Sequence, residues 1–351
     1  MNSLRKPRLP AEWEPVDAVQ LTWPHAGTDW QPRLAEVLHL YEELVVILSG
    51  VCQVLIAAPA DQVASIRQRF AGRGVPLEKL HVYPAESDDT WARDHGPITV
   101  ESEDGLVLMD YQFNGWGNKF AGGRDNRITA TLFGQGAYPG AQLLQRELVL
   151  EGGAIESDGR GTLLTTTKCL LNPNRNPALS RQQIEAHLKR DLGVSRILWL
   201  EHGALEGDDT DSHIDTLARL CPDGVIAYQA CDDERDVHYA ELQAMAGELS
   251  ACTDAAGAPC KLVPLPWPSA RYDEAGARLP ATYANFLVVN GSVLVPTYRG
   301  PRDKEALRQV AAAFPGYTVF GLDCLPLIRQ HGSLHCITMQ LPRGVLCSGS
   351  H

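Results

Sequence analysis

Gly207-Asp-Asp-Thr-Asp-Ser-His-Ile-Asp215 crowds acids around one histidine, between the apolar runs Ile197–Glu201 and Gly224–Gln229. A polar loop at the end of an apolar run is where α/β proteins place their chemistry. Three more segments have this character: Ser87-Asp-Asp-Thr-Trp-Ala-Arg-Asp-His-Gly-Pro97, Leu150-Glu-Gly-Gly153 and His331-Gly-Ser-Leu-His-Cys336. Counting outward from His213, Glu151 lies 62 residues earlier, Asp94 another 57, and Cys336 123 later, about two intervals of 61. The missing midpoint falls in the region of Asn285, in Tyr283-Ala-Asn-Phe-Leu-Val-Val-Asn290, at intervals of 72 and 51. One polar residue thus recurs five times at intervals of roughly 60, as expected if five similar α/β units each point one loop at a common axis.

The rest of the chain fits that pattern. Apolar runs bounded by turn residues predict strands over Asp17–Trp23, Gln53–Ala58, Leu106–Phe113, Thr162–Leu171, Ile197–Glu201, Gly224–Gln229, Phe286–Asn290, Val293–Pro296, Thr318–Gly321 and Ile337–Leu341. Helical patterns lie between several of them, over Leu34–Leu48, Ala60–Ala71, Arg181–Leu192, Glu234–Leu249 and Lys304–Ala313. The class is α/β. At 351 residues the chain exceeds the usual single-domain size, yet no Ser/Gly-rich or Pro-rich linker divides it. One closed body over 1–351 is the expectation.

With 31 Lys+Arg against 43 Asp+Glu, the net charge of −12 disfavours nucleic acid and anionic membranes as main partners. No stretch approaches the roughly 18 apolar residues of a membrane span. Nine cysteines without a Cys-x-x-Cys pair suggest neither a disulfide framework nor a zinc ribbon, so a reduced, cytoplasmic protein is expected.

Each polar cluster has a chemical and a plain reading. Cys336, beside His335 and a glycine-containing turn, suits a nucleophile if a neighbour lowers its pKa; the plain reading is a buried small hydrophobe, which the other eight cysteines keep. His213 and Asp215, two apart on an extended segment, share a face and suit a general base with a substrate clamp or a tautomer-fixing carboxylate. They also suit an acidic loop capping a helix near Ile214. A metal site is a third reading, but neither this segment nor Asp88–His95 holds a His-x-x-x-His spacing, and no metal is expected. Asp94 could simply pair with Arg93, Glu151 could be a solvated turn residue, and Trp91 and Trp116 could line a pocket or pack in the core.

Several longer motifs decide among these. Pro10-Ala-Glu-Trp-Glu-Pro15, Leu21-Thr-Trp-Pro-His25, Asp88-Asp-Thr-Trp-Ala-Arg-Asp-His-Gly-Pro97, Phe113-Asn-Gly-Trp-Gly117, Leu150-Glu-Gly-Gly153, Asn172-Pro-Asn-Arg-Asn-Pro177, Asp209-Thr-Asp-Ser-His-Ile-Asp215 and Leu334-His-Cys-Ile-Thr338 span nearly the whole chain. In these the chain resembles the agmatine deiminase and bacterial-type peptidylarginine deiminase family of the guanidine-modifying superfamily. The resemblance implies a five-bladed α/β propeller with pseudo-fivefold symmetry about a central site, and a hydrolase without metal or organic cofactor. It also implies roles: Cys336 as nucleophile, His213 as general acid/base, Glu151 as the carboxylate orienting His213, and Asp94 and Asp215 as the grip on a guanidinium. Trp91, Trp116 and Asn285 are expected around the substrate, with Asp88, Asp89, Asp209 and Asp211 as further candidates for its tail. The implied partner is a small cationic guanidino substrate, agmatine, with N-carbamoylputrescine as product; peptidyl or free arginine is the alternative, and a homodimer is the expected assembly. The chain departs from better-known agmatine deiminases at His95 for Thr, at Ser212 for Gly and at His331-Gly-Ser-Leu334 for a Gly-Gly-Gly-Asn-Ile type run. Those changes leave the reactive residues intact.

Overall fold

The computed structural model describes residues 4–347, so 1–3 and 348–351 of the expected 1–351 body lie outside the described residues. Strands β1 (Val16–Thr22), β2 (Gln53–Ala58) and β3 (Leu80–Pro84) lie side by side in the first sheet. Three-stranded sheets in chain order follow: β4 (Ile98–Ser102), β5 (Gly105–Gln112) and β6 (Ala141–Val149); then β7 (Ile155–Ser157), β8 (Thr162–Thr166) and β9 (Arg196–Leu200). The next two are β10 (Ala218–Cys221), β11 (Val225–Gln229) and β12 (Lys261–Leu265), and β13 (Leu287–Val289), β14 (Ser292–Thr297) and β15 (Thr318–Asp323). In each of these four, the first two strands are antiparallel and the last two parallel. A parallel pair needs a crossover, and helices Ile128–Gly134, Arg181–Leu192, Tyr239–Ser250 and Asp303–Ala313 supply one per sheet.

The first sheet repeats the plan with strand β16 (Met339–Pro342) in the role of first strand. It lies antiparallel to β1, with Val16 opposite Pro342 and Gln20 opposite Met339, and β1 is parallel to β2 across helix Leu34–Val51. A further crossover helix, Val63–Ala71, adds β3 to the edge. Five units of one plan, one of them joined from two distant parts of the chain, match the five similar α/β units expected from the spacing, and the α/β fold is that of the family whose resemblance implied a five-bladed propeller.

Local signals explain the elements. Central strands such as β2 and β14 are buried along nearly their whole length, so they appear in the sequence as apolar runs without alternation. Helix Arg181–Leu192 starts on a capping box between Ser180 and Gln183, buries Ile184 and Leu188, and stops at Gly193, whose φ of +69° is the left-handed conformation glycine tolerates. The expected strand Thr162–Leu171 is shorter than read. It ends at Thr166, whose hydroxyl accepts from the Cys169 amide and caps a helical turn, Thr167–Leu170. Helix Tyr239–Ser250 begins five residues later than the expected Glu234, behind a turn held by Asp236. The expected strand from Ile337 begins at Met339, so Cys336 stands in the turn before it.

This plan positions the site. Asp94 precedes β4 by four residues, Glu151 precedes β7 by four, His213 precedes β10 by five, Asn285 precedes β13 by two and Cys336 precedes β16 by three. Each recurring polar residue therefore sits at the entrance to the first strand of its own sheet. No described helix is long and apolar enough to cross a membrane.

Candidate active site

The entrances to four blades converge over Gly153. A methyl group there would lie 2.6 Å from His213 Nδ1, 2.8 Å from Asp94 Oδ1 and 3.2 Å from Asp215 Oδ2. The glycine, in a third unit, is what lets three charged side chains of two other units meet. Cys336 completes the group, with Sγ 3.8 Å from Asp215 Oδ2, and its side chain, Asp94, His213 and Asp215 are all buried.

Asp94 is held at both oxygens, by the Trp116 indole N–H at 2.9 Å and the Gly153 amide at 3.1 Å, while His213 Nδ1 lies 3.5 Å away. Burial and then the neighbouring charges of Asp215 and Glu151 raise its pKa to about 6, against the opposing pull of His213. Asp215 is also desolvated, but the hydrogen bond from His335 Nδ1 at 2.8 Å and the cationic neighbours keep its carboxyl below the usual range. Its Oδ1 has no hydrogen-bond partner. Neither ring nitrogen of the fully buried His213 has one either. Burial alone would strip the proton from this ring; Asp94, Cys169 and Glu151 outweigh it and raise the pKa to about 10. Burial, with the charges of Asp215 and Asp94, pushes the Cys336 thiol well above its usual value.

Glu151 is fully buried and receives Arg175 Nε at 2.8 and 3.1 Å, and Arg175 also pairs with Asp211 at 2.7 Å. Glu151, Cys169 and His213 each offer a polar atom within 4.8 Å of the others. Glu12, Glu156 and His335 form a second group of that kind. In both, an arginine already faces the carboxylates, Arg175 in the first and Arg219 in the second, and its positive charge opposes a metal cation there.

A cavity reaches Cys336 and Asp94 from outside, lined further by Asp29, Asp89, Asp209, Trp91, Trp116 and His331 among others. Trp91 and Trp116 thus line the pocket as expected. Trp116 does so from a left-handed backbone, φ +53°, between Gly115 and Gly117, a conformation rare for a bulky side chain and found at sites that need it. Asp89 and Asp209 also face the cavity. Asp88 and Asp211 do not line it: Asp88 accepts the Arg124 amide, and Asp211 is engaged by Lys119 and Arg175. Asn285 is likewise no lining residue. Its Oδ1 accepts from the His335 amide at 2.8 Å and the Cys336 amide at 3.3 Å, so it braces the turn that carries the thiol.

His213 and Asp215 are not on a strand. His213 precedes a 3-10 turn, Ile214–Thr216, which makes the helix-capping reading partly right and still brings both side chains to the centre. Four residues of the site escaped assignment from sequence: Arg175, Cys169, Glu12 and His335. Arg175, Glu12 and His335 lie inside the quoted motifs, which is the signal that marks them; Cys169, in an apolar run, carries none.

Comparison with known proteins agrees with this geometry. Residues 8–342 match the family described as Porphyromonas-type peptidyl-arginine deiminase. The agmatine deiminase of Stutzerimonas stutzeri (strain A1501) is 34% identical, over 95% of this chain and 95% of its own. The C. jejuni agmatine deiminase solved with substrate bound is similar with a TM-score of 0.88 and 37% identity, covering 97% of each chain. A Porphyromonas gingivalis structure provisionally described as an arginine deiminase gives a TM-score of 0.90 and 48% identity, covering 97% of this chain and 99% of its own. With the fold and nearly the full length in common, the chain belongs to the Porphyromonas-type peptidyl-arginine deiminase family and is a hydrolase of guanidino C–N bonds.

Proposed function

We propose that the protein deiminates agmatine to N-carbamoylputrescine and ammonia through a covalent intermediate on Cys336. The observation that carries this reading is the acidic pocket: Asp94 and Asp215 flank the thiol, and Asp29, Asp89 and Asp209 line the remainder with no lysine or arginine. A guanidinium is a planar cation whose donors suit two carboxylates, and agmatine carries a second cation at its far end. Free arginine would present a carboxylate to the same acidic wall.

The cycle follows from charge. In the empty site the thiol is neutral, and the cation arriving between Asp94 and Asp215 offsets their field, so the thiol proton is lost to solvent. The thiolate adds to the guanidinium carbon, forming a C–S bond as the C=N pair moves onto nitrogen. His213, protonated at neutral pH, donates to the departing nitrogen, and the C–N bond breaks to release ammonia. A cationic thiouronium remains between the two carboxylates. Neutral His213 then takes a proton from water as the oxygen adds to the same carbon. The C–S bond breaks, its electron pair returns to sulfur, and the urea product leaves after losing a proton. Since little negative charge builds on the substrate, carboxylates stand where an acyl-transfer enzyme places an oxyanion hole.

Deimination of arginine, free or peptidyl, is the second reading, favoured by the 48% identity to the P. gingivalis structure. Mass spectrometry of products from agmatine, arginine and an arginyl peptide, run in parallel, separates them. Carbamoylputrescine formed fastest is the expected result; citrulline formed fastest overturns the agmatine assignment.

A further inference from the structure

The segment Pro10-Ala-Glu-Trp-Glu-Pro15 has no part in the chemistry above, yet it sends a carboxylate to the floor of the site. We propose that Glu12 is a positioning residue that, by holding His335, fixes which oxygen of Asp215 is presented to the substrate. The inference rests on the reading of Asp215 as a guanidinium clamp.

His335 is fully buried between two acids. Its Nδ1 lies 2.8 Å from Asp215 Oδ2, and its Nε2 lies 2.8 and 3.0 Å from the two oxygens of Glu12. Because Oδ2 of Asp215 is engaged, Oδ1 is the oxygen left without a partner in the buried site. An unsatisfied buried carboxylate oxygen is costly, and a bound cation is what can satisfy it. That selection holds only while the imidazole keeps its face toward Asp215. A ring turned over by half would put carbon where Nδ1 stands, releasing Oδ2 and letting the carboxylate rotate.

Glu12 opposes the turn, beside Arg219 Nη2, which also lies 3.0 Å from Nε2, and Glu12 is itself tightly held. Arg93 Nη1 lies 3.1 Å from it, Gln340 Nε2 donates at 3.0 Å, and Arg219 Nη2 also pairs with it. Arg219 in turn binds Glu156 and the backbone carbonyls of Ala284 and Phe286. Side chains of three blades thus converge on one carboxylate that belongs to none of them, since Glu12 precedes β1. On its outer side Glu12 borders a separate cavity, lined with Arg93, Ser157, Met339 and Gln340, which shares no lining residue with the pocket at Cys336.

The test is steady-state kinetics with agmatine on Glu12→Gln, His335→Asn, the double variant and Asp215→Asn, each checked for an unchanged thermal midpoint. Gln keeps the volume and one acceptor for Arg93 and Arg219 while weakening the hold on the imidazole. The expected result for Glu12→Gln is a KM raised about tenfold with kcat within about threefold, as for an interaction that orders the bound substrate. Coupling is expected too: in the double variant Glu12→Gln adds less than a factor of about two beyond His335→Asn. Glu14→Gln, in the same segment but paired with Arg8, is the control and leaves both constants unchanged. If Asp215→Asn raises KM while folded Glu12→Gln stays within twofold of the parent, the positioning role is overturned and the clamp stands. If Asp215→Asn also leaves KM unchanged, the clamp reading fails with it. Should Glu12→Gln not fold, Glu12→Asp decides: a KM unchanged within twofold overturns the proposal.

Discussion

Two acid-rich clusters share the centre of this molecule, and they treat their histidines in opposite ways. Around Cys336, His213 has no hydrogen-bond partner on either nitrogen and Asp215 Oδ1 has none, although all are buried. Around Glu12, His335 has both nitrogens within 3.0 Å of carboxylate oxygens, and Arg219 is shared among two glutamates and two carbonyls. Buried polar groups are normally satisfied, so those left open mark where a ligand completes the structure, and those closed mark what holds it. A satisfied network resists change; an open one is paid for by what it binds.

The comparison can be broken at several points. The largest effect is expected on the open side: Cys336→Ala should lower ammonia release by a factor on the order of 10⁴ or more with no loss of thermal midpoint. A variant retaining a tenth of the activity would remove the thiol from the mechanism. On the closed side, Arg219→Met should cost about 3–5 kcal/mol in urea unfolding, because it leaves Glu156 buried without its cation and Glu12 with Arg93 alone. A cost below about 1 kcal/mol would mean that the network is as open as the site. Asp94→Asn comes next, with kcat/KM expected to fall by about 10²–10³, the range for removing one preorganised electrostatic contact to the transition state. Its midpoint should fall slightly, since one of the Trp116 and Gly153 donors would face an amide nitrogen in place of an acceptor.

The smallest effect is a slope. Asp94 is protonated below its raised pKa of about 6, so the empty clamp loses charge as pH falls and kcat/KM for a cationic substrate should drop by up to tenfold per unit below that point. A raised carboxyl pKa also means that folding favours the protonated form, a contribution present at low pH and lost as pH rises through about 6. Substrate binding to Cys336→Ala, which has no thiol proton to lose, should accordingly expel a proton at pH 5.5, which calorimetry in two buffers of different ionisation heat would register. Binding without proton release would place the Asp94 pKa elsewhere.

Much of the open cluster was legible in the sequence, and most of the closed one was not, for a physical reason. Asp94, Glu151, His213 and Cys336 each stand at the mouth of a strand, so composition shifts abruptly beside them and the interval repeats. Asn285 shares the position, and its spacing found it, but its hydrogen bonds go to the His335 and Cys336 amides and it does not line the pocket, which spacing cannot disclose. Glu12 and His335 are 323 residues apart and meet only because β16 closes on β1. Short edge strands such as β7 and β10 also went unread: three or four residues are too few for a period to show. The reverse error occurred at Thr162–Leu171, where an apolar run hid a change from strand to helical turn, and with it Cys169 beside His213.

The pairing of β16 with β1 has a consequence for how such a protein comes into being. In the function proposed above, Asp94, His213 and Asp215 are encoded by residue 215, whereas the thiol at 336, His335 and the strand that pairs with β1 follow more than a hundred residues later. On that reading, a growing chain on the ribosome carries the acids that grip a guanidinium well before it carries the thiol that attacks one. Reactivity is deferred until the ring shuts, so a polypeptide interrupted before Met339 has neither the closing strand nor a fixed place for its nucleophile.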